Sequence, residues 1–241
     1  MSARRRRLTR WLSQMGPLSS RQPTELMQQA SPDYHLSGLC DEALLPHDTV
    51  CVHDVSRSMS WKDCAPSRLE ASKTATGAYV RRRAILSPSD RIAIVTFNNR
   101  ARVVLPLTEI TQQGKIGLAL SLLRATGGTD IAEGLGAANA VFAQDVALYP
   151  TAARRRRILL LTDGHGGRPL RWATHLKNAG VLLSVIGVGG ETRFVDERLL
   201  RQVASVDVTG VVHYWFFRDT DSLVAHYENL ASGLVFKGHN R

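Results

Sequence analysis

From about residue 48 onward, short runs rich in β-branched and aliphatic residues alternate with longer stretches whose apolar residues recur at helical spacing. No other feature of the chain restricts its fold as much. The pattern predicts strands at 49–53, 91–97, 101–106, 157–162, 181–187 and 211–216, and helices at 66–86, 112–124, 130–143, 169–179, 196–205 and 220–235. A helix between two strands carries the chain back across the sheet, so the second strand starts at the same end as the first and runs parallel to it. Parallel strands are covered on both faces, which agrees with apolar runs such as ILLL. The exception is RIAIVTF followed by ARVVLPL: the NNR between them is too short for a crossover and fits only a hairpin. The expected fold is therefore α/β, a doubly wound, mostly parallel six-stranded sheet with one antiparallel edge strand and helices on both faces.

In such a sheet, ligands collect at the carboxyl ends of the strands, where neighbouring loops part in opposite directions. Three loops expected there carry oxygen donors. The first strand runs into DVSRSM, which supplies Asp54, Ser56 and Ser58. On an extended segment these residues share one side, and on a turn their oxygens converge. By itself the stretch has two readings, a site for a hard cation or an Asx/Ser turn capping the next helix. After the run ILLLT comes Asp163, in TDGHGG. Between the two, ATGGTDIAEGL sets Thr129 and Asp130 at a helix start, behind Gly127 and Gly128, whose backbone freedom lets the threonine approach a neighbouring loop closely.

Together these residues resemble the von Willebrand factor type A (VWA) domain with a metal-ion-dependent adhesion site. The pattern of that family is DxSxS after the first strand, a threonine in a later glycine-rich loop and an aspartate after the fourth strand. Asp54, Ser56, Ser58, Thr129 and Asp163 match it in order, and the likeness continues through DRIAIVTF and its hairpin, LLSVIGVG and LLRQVAS, over about residues 47–236. The resemblance implies a Rossmann-like VWA fold and a bound Mg²⁺ or Mn²⁺. It makes Ser56, Ser58 and Thr129 neutral direct ligands, with Asp54 and Asp163 acting largely through bound water. An ion so held keeps an open position suited to an acidic side chain of a partner, which implies a protein–protein interaction module rather than an enzyme. Stand-alone intracellular members often serve as adaptors beside AAA+ ATPases or within stress or defence systems, so an adaptor role is expected here. Two residues depart from the pattern. Arg57 stands between the serines where glycine is common, and it either lowers metal affinity or attracts the partner's carboxylate. With His165 of TDGHGG it is assigned to the partner-binding rim. His53 replaces an apolar residue and is expected to face away from the metal as a hydrogen-bonded core histidine.

Charge and composition weigh the rival functions. The net charge is +10, of which residues 1–30 hold +5, six arginines against Glu25. Residues 1–45 read as a basic, weakly structured extension, 46–237 as the VWA domain and 238–241 as a tail. The first alternative is a nucleic-acid-associated protein using Arg4, Arg5, Arg6 and Arg7, but only 6% of residues are aromatic and they do not alternate with arginine as a base-stacking platform would. A metal-dependent hydrolase is the second. Against it, Asp54 has no acid or base partner in its own loop, and Ser56 stands where phosphate-transferring proteins with a comparable sheet have a second aspartate. The runs Arg81 to Arg83 and Arg154 to Arg157 read as solvated faces. Cys40, Cys51 and Cys64 form no CxxC pair and are expected as reduced thiols. No apolar run approaches the roughly 20 residues of a membrane helix, and the arginine-rich start has no apolar segment suited to a secretory signal, so a cytoplasmic location is expected.

Overall fold

A computed structural model describes residues 46–148, 154–164, 166–192 and 195–233. The extension 1–45 with Arg4 to Arg7, the tail 238–241, Cys40 and His165 lie outside the described residues. The strands are β1 (His47–Asp54), β2 (Arg91–Phe97), β3 (Ala101–Glu109), β4 (Arg155–Thr162), β5 (Leu182–Val188) and β6 (Tyr214–Phe217). The helices are α1 (Arg68–Leu86), α2 (Gln113–Ser121), α3 (Ile131–Leu148), α4 (Leu170–Asn178), α5 (Glu197–Val203) and α6 (Thr220–Ala231), with a short 3₁₀ turn at Arg57–Ser60.

The sheet order is β3-β2-β1-β4-β5-β6, all parallel except β3, which pairs antiparallel with β2 at the edge. Pro106 sits in that edge strand, where a missing N–H costs no inner ladder bond. The chain winds outward from β1 through β2 to β3 and then crosses to β4 on the other side. The order therefore reverses between β1 and β4, and the loops leaving their carboxyl ends part and open a crevice. That reversal places the DVSRSM and TDGHGG loops side by side.

Every residue of β1 is buried, as expected of the central strand. Alternate residues feed two cores. Cys51, Leu159 and Ile186 pack under α1, α2 and α6, while Val50, Val52, Leu160 and Leu183 pack under α3, α4 and α5. Gly134 lets α3 lie close to the sheet: a Cβ there would fall 2.7 Å from Phe97 Cδ1 and 2.9 Å from Val52 Cγ1. Ser67 caps α1 by accepting from Glu70 N at 3.2 Å.

The sequence reading is corrected in its bounds, since β3 runs to Glu109 rather than 106, α2 stops at Ser121 rather than 124 and α3 runs to Leu148 rather than 143, and at three further places. Residues 211–213 precede β6 rather than belong to it, because Asp207 Oδ1 accepts from Thr209 N and Val211 N and folds the chain back, with Val206 bridging Val212. Arg83 is not on a solvated face; it is 1% exposed, with Nε donating to Asp90 Oδ2 at 2.6 Å and Nη1 to Ala231 O. Arg157 is likewise buried, donating to Leu230 O at 3.3 Å. A guanidinium is tolerated inside when its fork finds acceptors, and both arginines meet the carboxyl-terminal carbonyls of α6. His53 is the core histidine expected. Its Nδ1 lies 2.6 Å from Ser72 Oγ on α1, and burial lowers its pKa to about 4, so it is neutral.

Candidate metal centre

Asp54 ends β1 with its carboxylate completely buried. Its Oδ1 accepts from Ser56 N at 2.8 Å, the contact that bends the chain out of the strand into the 3₁₀ turn. Met59, also fully buried, anchors that turn from below. The bend brings Ser56 Oγ within 3.1 Å of Ser58 Oγ, and Ser58 in turn donates to Asp163 Oδ2. Asp54 Oδ2 accepts from Thr162 Oγ1 at 2.7 Å, tying β1 to β4 directly. Four of the five residues singled out in the sequence thus form one hydrogen-bonded cluster across the β1–β4 crevice.

The glycine-rich loop joins through its backbone. Thr126 N donates to Val55 O at 2.6 Å and Arg57 N to Gly127 O at 3.1 Å. On the far side Gly166, at φ +98°, passes so close to Thr129 O that a Cβ would meet it at 2.1 Å, which only glycine permits. Thr129 is therefore held against the TDGHGG loop, although no hydrogen bond among the described residues joins its hydroxyl to the Asp–Ser cluster. Asp130 serves the helix instead, since its Oδ1 accepts from Ala132 N at 2.9 Å and caps α3. Arg57 is exposed at the rim of the crevice.

Sequence reasoning missed Arg68. It is 1% exposed, and it donates from Nη1 to Asp163 Oδ2 at 3.1 Å and from Nε to Asp63 Oδ1 at 2.9 Å. Its guanidinium also lies 4.8 Å from the centre of the Trp61 ring. Asp63 accepts further from Gly190 N at 2.8 Å, and the Arg68 bond holds its carboxyl below the usual carboxylate range. One signal could have found it. Arg68 is the first residue of α1, where the helix dipole favours an acid, so an arginine at that position calls for a carboxylate from elsewhere.

Two features of the cluster are left unbalanced. Burial, with the Asp163 charge adding to it, raises the Asp54 pKa to about 6. Asp163 Oδ1 is buried with no hydrogen-bond partner among the described residues. A hard cation would relieve both, and a set of hydroxyl and carboxylate oxygens suits Mg²⁺ or Mn²⁺ rather than a soft metal. No group of three or more His, Cys, Asp or Glu gathers anywhere among the described residues, so the hydroxyls are essential to any such site.

Residues 49–165, the span from β1 through Asp163, match the family model of the von Willebrand factor type A domain. No curated protein matches the chain. Among solved structures, the conserved hypothetical protein BatB from Bacteroides thetaiotaomicron superposes with a TM-score of 0.62 at 22% identity, over 78% of this chain and 98% of that one. The SpRpn10 VWA domain gives 0.61 at 19% identity, over 77% of this chain and 95% of that one. The pilus adhesin SpaC from Lactobacillus rhamnosus GG gives 0.63 at 18% identity, over 79% of this chain but 30% of the adhesin. At such identities these likenesses establish the Rossmann-like VWA fold alone.

Proposed function

Taking residues 49–165 as a von Willebrand factor type A domain, we propose that the β1–β4 crevice is a metal-ion-dependent adhesion site through which the protein binds an acidic side chain of a protein partner. The convergence of Asp54, Ser56 and Ser58 with the unpartnered Asp163 Oδ1 carries this reading. Ser56, Ser58 and Thr129 would hold the ion as neutral donors, with Asp54 and Asp163 supplying the negative charge around it. A bound Mg²⁺ or Mn²⁺ supplies an electrophilic position for an anionic oxygen. The chain's own residues do the rest. The 3₁₀ turn fixes the serine hydroxyls, Thr162 orients Asp54, and Arg57 offers a second cationic contact at the rim. An interaction role is favoured over catalysis, because His53, the histidine next to Asp54, faces α1 and is neutral, leaving Asp54 without an acid or base partner on its own strand. An adaptor role in a multi-protein system follows from the same reading.

The test uses the full chain. Millimolar Mg²⁺ or Mn²⁺ should raise the melting temperature saturably against EDTA, by mass action on the native state, and Ser56→Ala should remove the effect. A wild-type protein unmoved by either ion refutes the site. Once a partner is in hand, Arg57→Gly should leave metal binding intact and weaken the partner by about 1–3 kcal/mol.

A further inference from the structure

The opposite end of the sheet holds a cleft of about 420 Å³ whose walls include His47, Arg154, Arg155, Arg156, Arg157 and Gly180. We propose that this cleft is a second binding site, one that takes a phosphoryl group, with His47 and the arginines that open β4 as its donors. It is independent of the adhesion site, separated from it by the length of β1.

His47 is the first observation. It is 3% exposed, yet neither ring nitrogen has a hydrogen-bond partner among the described residues, and the ring lines the cleft. Buried polar atoms are normally satisfied, so two orphaned nitrogens on one side chain point to a missing ligand. Burial and the charges of Arg157, Arg83, Arg155 and Arg154 lower the His47 pKa to about 3, so the ring is neutral, with one N–H to donate. An anion in the cleft would accept that N–H and offset the surrounding positive field.

The arginines are the second observation. Arg154 is already engaged, its Nε donating to Asp48 Oδ1 at 2.6 Å. Arg155 is exposed at the mouth, and Arg156 lies 5.7 Å over the Phe142 ring with its Nε unpartnered among the described residues. Successive residues of a strand point to opposite faces, so Arg155 and Arg156 flank a ligand at the amino end of β4 from both sides. Gly180 leaves the wall open, since a Cβ there would meet nothing within 4 Å. Guanidinium forks bind phosphoryl oxygens in pairs, and a phosphoryl group has enough acceptors for two forks and an imidazole. A single carboxylate has too few.

Inorganic phosphate, tripolyphosphate and ATP are titrated into the full chain by calorimetry and thermal shift, with chloride matching the ionic strength. Saturable binding is expected, with Arg155→Ala and Arg156→Ala each weakening it about ten-fold, Ser56→Ala leaving it unchanged, and phosphate moving the ring ¹⁵N shifts of His47. Equal affinity for tripolyphosphate and ATP assigns the site to a phosphate chain, and tighter ATP binding assigns it to a nucleotide. Phosphate acting no better than chloride, or equally on the arginine variants, overturns the proposal. So does an oligonucleotide that binds when phosphate does not. Failure here leaves the Mg²⁺ response untouched, so the two readings fall separately.

Discussion

Asp48 and Asp54 stand six residues apart on the same strand, both completely buried, and they are treated in opposite ways. Asp48, at the amino end, is met by guanidiniums: Arg91 through Nε at 2.9 Å and Nη2 at 2.7 Å, and Arg154 at 2.6 Å. Asp54, at the carboxyl end, is met by a backbone N–H and a threonine hydroxyl, and the charge that acts on it is another carboxylate, Asp163. The first acid is electrostatically complete. The second keeps a charge that its neighbours orient but do not neutralise, as the proposed adhesion site requires. In a buried acid, the partner's charge separates scaffold from site, and burial does not.

The largest effect should come from the completed end. Asp48→Asn keeps the shape but takes the carboxylate from Arg154 and leaves Arg91 with Asp145 alone. It should cost about 3 kcal/mol in urea unfolding, the scale for breaking a buried pair, and Mg²⁺ should not restore it. A loss below about 1 kcal/mol would mean that the guanidiniums do not complete Asp48.

Arg68 sharpens the comparison from inside the open end, because its buried guanidinium contacts Asp163 rather than Asp54. As a cation beside the proposed metal site, it should oppose the metal. Arg68→Met should destabilise the protein in EDTA, since Asp163 and Asp63 lose their partner, and raise Mg²⁺ affinity about ten-fold, equivalent to about 1.4 kcal/mol. Unchanged or weaker Mg²⁺ binding by calorimetry would make Arg68 an organiser of the site rather than a competitor.

The smallest effect should have the opposite sign from the first. The folded pKa of Asp54 lies near 6, above its ordinary 3.8. Its contribution to stability is therefore complete below about 3.8 and lost as pH rises through about 6. Asp54→Asn removes a charge that is unfavourable at neutral pH, so in EDTA it should stabilise the fold by about 1 kcal/mol at pH 7.5, with the gain vanishing near pH 4. In Mg²⁺ the order should reverse, because only the wild type gains from the ion. Destabilisation in EDTA at pH 7.5 would place Asp54 with Asp48.

Much of this was legible in the chain. The six strands, the hairpin of β2 with β3, the bend after Asp54 and the meeting of DVSRSM with TDGHGG all rest on local periodicity, on loop length and on the rule that ligands collect at strand carboxyl ends. So did the core role of His53, because alternation along a strand fixes which face a residue takes. The roles of the arginines were not legible. Arg83 and Arg157 look like members of solvated runs, and Arg68 looks like part of an ordinary helix start, until Asp90, the end of α6 and Asp163 are brought beside them. The same holds for the cleft between β4 and the α4–β5 turn, whose walls come from distant parts of the sequence. Backbone periodicity is written residue by residue and survives in the sequence alone. The partner of a long, flexible guanidinium is set by what the sheet order places within its reach, 95 residues away in the case of Arg68 and Asp163, and that only the tertiary structure decides.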